Sequence, residues 1–287
     1  MDQHAPSALP TTTYTPESRL SRPLELLNDI RRDVMSSKEL AWQMFYRNIR
    51  VRYRQSALGP LWAFIPPILI ALTATVLRRG GIIEADETGI PYALSVLFKT
   101  ILWQTFATSL GMPLRAMRVG MPLLRTIRVP VEGLVLAAIY EMLFDLVIQL
   151  VVLAGFFVLF GATLSWGAIP AIGALFMLIC FGFSLGLFLV PLGSLYTDVT
   201  SALPFLTRFW FFLTPVIYTP PSQWPYSLIV DLNPVTPLLL ATIDLSIEGT
   251  LNNGVGFTVV SILSFVLLIT GWVFYRISIP MLVERSG

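Results

Sequence analysis

Apolar residues run through this chain in stretches of about twenty, divided by short polar intervals. A helix of that length rises about 30 Å, the thickness of bilayer hydrocarbon. Six such stretches are placed at 60–78, 92–113, 132–160, 168–193, 203–219 and 255–275. The third is longer than a bilayer needs, so it should tilt or project. Pro66-Pro67 is expected to kink the first. Residues 220–250 break the pattern: they are rich in proline and aromatics, and their apolar piece, 235–243, is too short to cross. This predicts a re-entrant or interfacial segment on the extracytoplasmic side, between spans five and six. No internal repeat is visible, so the pattern expected of many inverted-repeat transporters has no support.

Ahead of the first span the pattern changes twice. Residues 1–36 are largely polar, and 1–20 carry Pro, Thr and Ser without an apolar core, as expected of a cytoplasmic tail rather than a signal peptide. Residues 37–58 form the next unit. Within it Gln43, Arg47, Arg50 and Arg54 fall on one helical face. Ala41, Phe45 and Ile49 fall on the other, flanked by Trp42 and Tyr53. A basic, aromatic-rich amphipathic helix of this kind lies in the membrane interface; the plainer alternative is an ordinary surface helix. Gly59-Pro60 ends it, and 59–287 form the six-span domain.

Composition agrees. The chain has 287 residues, 55% hydrophobic and 13% charged, with a mean hydropathy of +0.74. A soluble domain carries about 25% charged residues. The fold class expected is therefore an all-α integral membrane protein. The net charge of +2 is too small to suggest nucleic acid, but its distribution is informative. Nine Lys and Arg precede residue 61. Arg115, Arg118, Arg125 and Arg128 lie between spans two and three, and Arg276 and Arg285 follow span six. With six spans all of these share one side. The other side holds Arg78 and Arg79 among Glu84, Asp86, Glu87, Asp231, Asp244 and Glu248. Basic loops stay in the cytoplasm, so both termini are expected there.

Reactive chemistry is scarce. The single histidine, His4, sits in the tail, and Cys180 has no second cysteine to pair with. A metal site or a His-based catalytic site is not expected. The two lysines, Lys38 and Lys99, do not follow glycine, so there is no P-loop. Any ATP-driven work falls to a separate subunit, which would hold the ATP and Mg²⁺. Glu141 and Asp145 stand four apart on one face of the third span, where ionisable groups are costly. They form a polar strip toward a pathway or partner helix, or they lie near the interface or pair with a neighbour such as Lys99. Trp103, Phe106, Phe209 and Phe212 are candidates for a pathway wall, because the apolar C–H faces of sugar rings stack on aromatic rings. Most aromatics of such spans serve instead as core, lipid-facing or belt residues.

The run RVRYRQSALGPLWAFIPPI at 50–68 is specific: a basic segment, then Leu58-Gly59, Leu61-Trp62 and Pro66. Trp103-Gln104, Arg128-Val129-Pro130, Asp145, Asp198, FWFFLTPVIY at 209–218 and Asn233-Pro234 follow in order. In these motifs, from about residue 37 onward, the chain resembles the membrane subunit of type-2 ABC exporters of cell-surface polysaccharide. That family comprises the O-antigen, capsule and teichoic-acid export permeases. Thr197 stands where the family often has Arg before Asp198. Asp244 and Glu248 occupy a region where it often has Arg.

The resemblance implies a pore of two copies of this chain with two copies of a separate ABC ATPase beneath, in a bacterial plasma membrane. The cargo would be a lipid-linked O-antigen-like glycan or a polyol phosphate polymer. Segment 114–129, with Arg115, Arg118, Arg125 and Arg128, would couple to the ATPase, and the short loop at Tyr196 and Asp198 would be a second contact. Simple positive-inside sorting or lipid-phosphate binding would also account for those arginines. Arg47, Arg50, Arg54, Gly59, Pro60 and Trp62 would form the substrate entry. Trp224, Asn233 and Pro234 would help close the outer mouth. A drug or lipid exporter is the alternative within the same fold, and a membrane enzyme acting on lipid-linked sugars the alternative outside it. If the basic face guides a lipid diphosphate, replacing Arg47, Arg50 and Arg54 with Gln should cut export while assembly persists. Unchanged export in that triple variant would refute the guiding role.

Overall fold

The computed structural model describes residues 32, 34–54, 59, 62, 64–81, 89–126, 131–221 and 223–285. Among them every regular element is a helix: α1 (Lys38–Arg54), α2 (Ile65–Arg79), α3 (Tyr92–Thr126), α4 (Val131–Phe160), α5 (Ala168–Leu195), α6 (Thr197–Leu213), α7 (Ser227–Asp231), α8 (Val235–Ile247) and α9 (Gly254–Arg285).

Among the described residues three helices are long and apolar enough to cross a membrane: α4, α5 and the Gly254–Ile279 part of α9. They coincide with the third, fourth and sixth expected spans. The other three stretches are helical too, as α2, α3 and α6, but differ in character. With 15 and 17 residues, α2 and α6 rise about 22 and 25 Å, short of a ~30 Å hydrocarbon core. At 35 residues α3 is the longest helix, but Lys99, Gln104, Arg115 and Arg118 punctuate it.

Prolines shift two boundaries. Pro66 and Pro67 occupy the first turn of α2 and do not kink it. The missing N–H groups fall where a helix has no internal acceptor to lose. α6 starts at Thr197 rather than near 203, so Asp198 lies in a first helical turn and the α5–α6 loop is Tyr196 alone. Its other end comes at Thr214, which is extended (φ −100°, ψ 135°), as a residue before proline prefers.

α3 is the central helix and packs against α2, α4, α5, α6, α8 and α9. Its closest neighbour is α5, where Gly182 and Gly186 form a small-xxx-small face. A Cβ on Gly182 would stand 2.8 Å from the Phe106 carbonyl oxygen, and one on Gly186 would collide with that of Leu110. Gly193, seven residues further on the same face, meets Leu114.

Segment 220–250 is not a free loop. α8 inserts among α3, α5 and α9, with Val235, Leu238 and Leu239 wholly buried. The α4–α5 connection docks on its end, where Ser165 N–H donates to Ser246 O at 2.9 Å.

α1 runs alongside the first half of α4. Ala41 and Met44 pack on Leu134 and Ala137, and Phe45 makes edge contacts with Tyr140 and Phe144. Its apolar face is therefore turned to protein, while Trp42 and Tyr46 stay exposed. With 30 residues α4 rises about 45 Å, and α1 packs on its first half.

A Gly186→Leu variant should push α5 from α3 and lose about 1–3 kcal/mol. Thermal unfolding in detergent reads this. An unchanged unfolding temperature would contradict the close helix approach.

Candidate functional site

α2, α3 and α6 leave a groove between them. It comprises two cavities of about 680 and 660 Å³ that share Gln104, Ala107 and Thr207. From Gly111 to Thr100 along its α3 floor it extends about 16 Å. One end is rimmed by Arg52, Tyr53, Gly59, Trp62 and Asp145. The other reaches Leu77, Phe211, Phe212 and Ile217.

The lining mixes hydrogen-bonding groups and aromatic rings with aliphatic side chains such as Leu69, Ile70 and Leu77, and Arg208 joins them in the second cavity. Gln104, Thr108, Gln149, Thr207, Thr73 and Thr100 offer hydrogen bonds, whereas Tyr53, Trp62, Trp103, Phe211 and Phe212 offer ring surface. The buried Thr100 hydroxyl has no hydrogen-bond partner among the described residues. The Gln149 and Gln104 amides lie 3.5 Å apart, a long contact that leaves both able to bond elsewhere.

Charge gathers at the first end. Arg52 Nη1 donates to both Asp145 oxygens at 2.9 and 3.0 Å, and its Nη2 donates to Glu141 Oε2 at 2.7 Å. Asn48 Nδ2 donates to Glu141 Oε1 at 2.8 Å, and Arg115 Nη2 stands 3.6 Å from Glu141 Oε2. Burial disfavours the Arg52 cation, but Asp145, Tyr53 and Glu141 together more than offset this, and the guanidinium pKa is raised. The Glu141 side chain is 10% exposed and that of Arg52 32%, so this network is better shielded than an ordinary surface pair.

At the far end Asn233 is buried and joins two helices. Its Oδ1 accepts from Trp210 Nε1 at 3.0 Å and from Val235 N–H at 3.1 Å. Its Nδ2 donates to Thr214 Oγ1 at 2.8 Å and to Leu213 O at 3.3 Å. It thereby caps α8 and anchors the end of α6. Tyr92 makes a second tie there, donating to Ile217 O at 2.7 Å.

The residues singled out in the sequence divide accordingly. Gly59 (φ 50°), Trp62, Trp103, Asp145 and Phe212 line the groove. Phe106 does not: it is wholly buried, packed on Phe181 and Trp210, and belongs to the core. Phe209 is 61% exposed and lines neither cavity. Glu141 and Asp145 find their cation in Arg52, whereas Lys99 exerts its field on Asp244. Arg47 and Arg50 are exposed and bond within α1, to Asn48 and Tyr46; Arg54 is exposed as well. Arg118, Tyr196 and Asp198 are exposed, as is Trp224, and Pro234 precedes α8 as its N-cap. Pro60 and Arg128 lie outside the described residues, as does the side chain of Arg125.

Sequence reasoning passed over Arg52, Asn48 and the polar floor residues of α3 and α6. A signal existed for the first two. Ala41, Phe45, Asn48 and Arg52, spaced 4, 3 and 4, form one helical stripe whose polar end faces Glu141 and Asp145, themselves four apart.

Comparison with known proteins places these features in context. The model of a family described as ABC-2 type transporter matches residues 39–245, from α1 to within α8. The chain is 25% identical over 240 residues to the O-antigen export system permease protein RfbA of Myxococcus xanthus, covering 83% of this chain and 91% of that protein. It is also 25% identical over 228 residues to a protein of the same name from Klebsiella pneumoniae, covering 76% and 83%.

Proposed function

Because this chain belongs to the ABC-2 type transporter family, we propose that it is the membrane subunit of an ATP-driven exporter that moves lipid-linked polysaccharide out of the cytoplasm. The groove is the observation that carries this reading. A cargo of repeating sugars needs donors and acceptors to replace water, and ring faces to slide along. The groove supplies both over about 16 Å, its charged groups being Arg52 and Asp145 at one rim and Arg208 of α6 in the second cavity. Small apolar cargo would not use Gln104, Thr108 and Thr207. The names of the relatives, O-antigen export permeases at modest identity over most of the chain, point the same way.

In this reading the groove is half of a pathway. α6 has no buried residue and presents Phe205, Phe209 and Phe212 outward. α2 presents Leu69, Leu72 and Val76 beside it. A second copy of the chain would cover these surfaces and close the path. Six spans with both termini in the cytoplasm put the Arg52 rim at the cytoplasmic entrance. The α7–α8 segment, with Trp224, Asn233 and Pro234, then stands at the outer mouth. α1 would meet the cargo first, its Arg47, Arg50 and Arg54 turned to the lipid diphosphate. Two ATPase subunits would act on the extension of α3 around Arg115 and Arg118 and on the Tyr196–Asp198 turn. The membrane is the plasma membrane, where such glycans are built on lipid carriers.

Depletion of the protein in its host is the test. Radiolabelled lipid-linked glycan should be completed but retained on the cytoplasmic side. Glycan left incomplete would favour an enzyme acting on lipid-linked sugars. Glycan reaching the surface at its normal rate, in cells without a second exporter, would leave drug or lipid export as the better reading.

A further inference from the structure

We propose that Glu141 is a positioning residue that transmits movement of the α3 extension to the mouth of the groove. Three helices meet on this one carboxylate. Its Oε2 takes the 2.7 Å bond from Arg52 of α1 and stands 3.6 Å from Arg115 of α3. Its Oε1 takes the 2.8 Å bond from Asn48, one turn before Arg52. Glu141 is itself fixed on α4, buried between the two arginines.

The charges explain why this is a linkage rather than a cargo site. Arg52 and Arg115 bring two positive charges, Glu141 and Asp145 two negative ones. An incoming phosphate would meet the carboxylates along with the cations. Arg52 is committed by three charge-assisted hydrogen bonds, each stronger than a neutral one. Among the described residues Arg47, Arg50 and Arg54 make no such bond to a carboxylate, and all three are exposed.

Geometry gives the linkage its direction. α3 is one continuous helix from the groove floor, through Gly111, to Arg115 and on to Thr126. A push on its far end therefore moves Arg115. Arg115 and Arg52 draw on the same oxygen, so displacing one changes the field that holds the other. Arg52 and its neighbour Tyr53 line the mouth. Glu141 thus turns motion of α3 into a shift of α1 against α4. This inference rests on the proposed function, which puts the ATPase beneath that extension.

The test uses the full complex with its ATPase, reconstituted in liposomes, with Cys180→Ala and spin labels at Gln43→Cys on α1 and Ser194→Cys on α5. A non-hydrolysable ATP analogue should change the label distance in the parent protein but not in Glu141→Gln. In that variant glycan export should fall by about tenfold or more while ATP hydrolysis stays within about twofold, a loss of coupling. Glu141→Asp should restore much of the export. Arg115→Gln, which leaves α1 bonded to α4, should also abolish the nucleotide-dependent distance change. Labels that move in Glu141→Gln as in the parent would overturn the proposal, as would loss of assembly, hydrolysis and export together with no rescue by Asp. A parent complex whose labels respond to nucleotide but which exports no glycan, beside an unresponsive Glu141→Gln, would overturn the cargo assignment and uphold the linkage.

Discussion

α3 carries Lys99, Thr100, Thr105 and Ser109 through the middle of the bundle, all buried. An apolar surrounding offers such groups nothing, and each must find a hydrogen bond or lose stability. Part of the solution is local: Thr105 and Ser109 donate to their own helix, at Ile101 O and Phe106 O. Part is close cover, since Gly182 and Gly186 let the α5 backbone come down on α3 where a larger residue would not fit. α4, α8 and α9 take further sides. What remains is the strip bearing Gln104, Ala107, Thr108 and Gly111, and this strip is the floor of the groove. The groove is thus the face of a polar helix that the apolar helices leave open.

The two ends of that groove are built differently. At one end ionic groups join α1, α3 and α4 through a neutral cluster of two arginines and two carboxylates. At the other, Asn233 joins α6 to α8 by neutral hydrogen bonds. Charged networks tolerate partial exposure to water and respond to rearrangement of their members. A buried amide with four partners is costly to disrupt. The charged end is the one beside the α3 extension, and the neutral end is the one at the start of α8.

Much of this was legible in the chain. Long apolar runs locate α4, α5 and α9 because nothing in them competes with the hydropathy signal. The positions of α2, α3 and α6 were legible too, but not their ends. Pro66-Pro67 reads as a kink when the helix is taken to begin at 60, whereas the helix begins at Ile65 and holds both prolines in its first turn. The Thr214-Pro215 break ends α6 six residues before its apolar run does. The groove was harder to see, because which side of α3 stays open depends on helices distant in sequence. Phe106 and Trp103 are three residues apart, yet one is core and the other also lines a cavity. Arg52 was hidden by its neighbours: among four arginines in eight residues, it alone extends the buried stripe of α1.

The most direct measurement is photocrosslinking from the groove floor. A photoreactive amino acid at Gln104, in cells making labelled lipid-linked glycan, should attach glycan to this chain. The same residue at Leu159, exposed on the outer surface of α4, should attach lipid but no glycan. Glycan captured at both positions alike, or at neither while export proceeds, would contradict a path along α3.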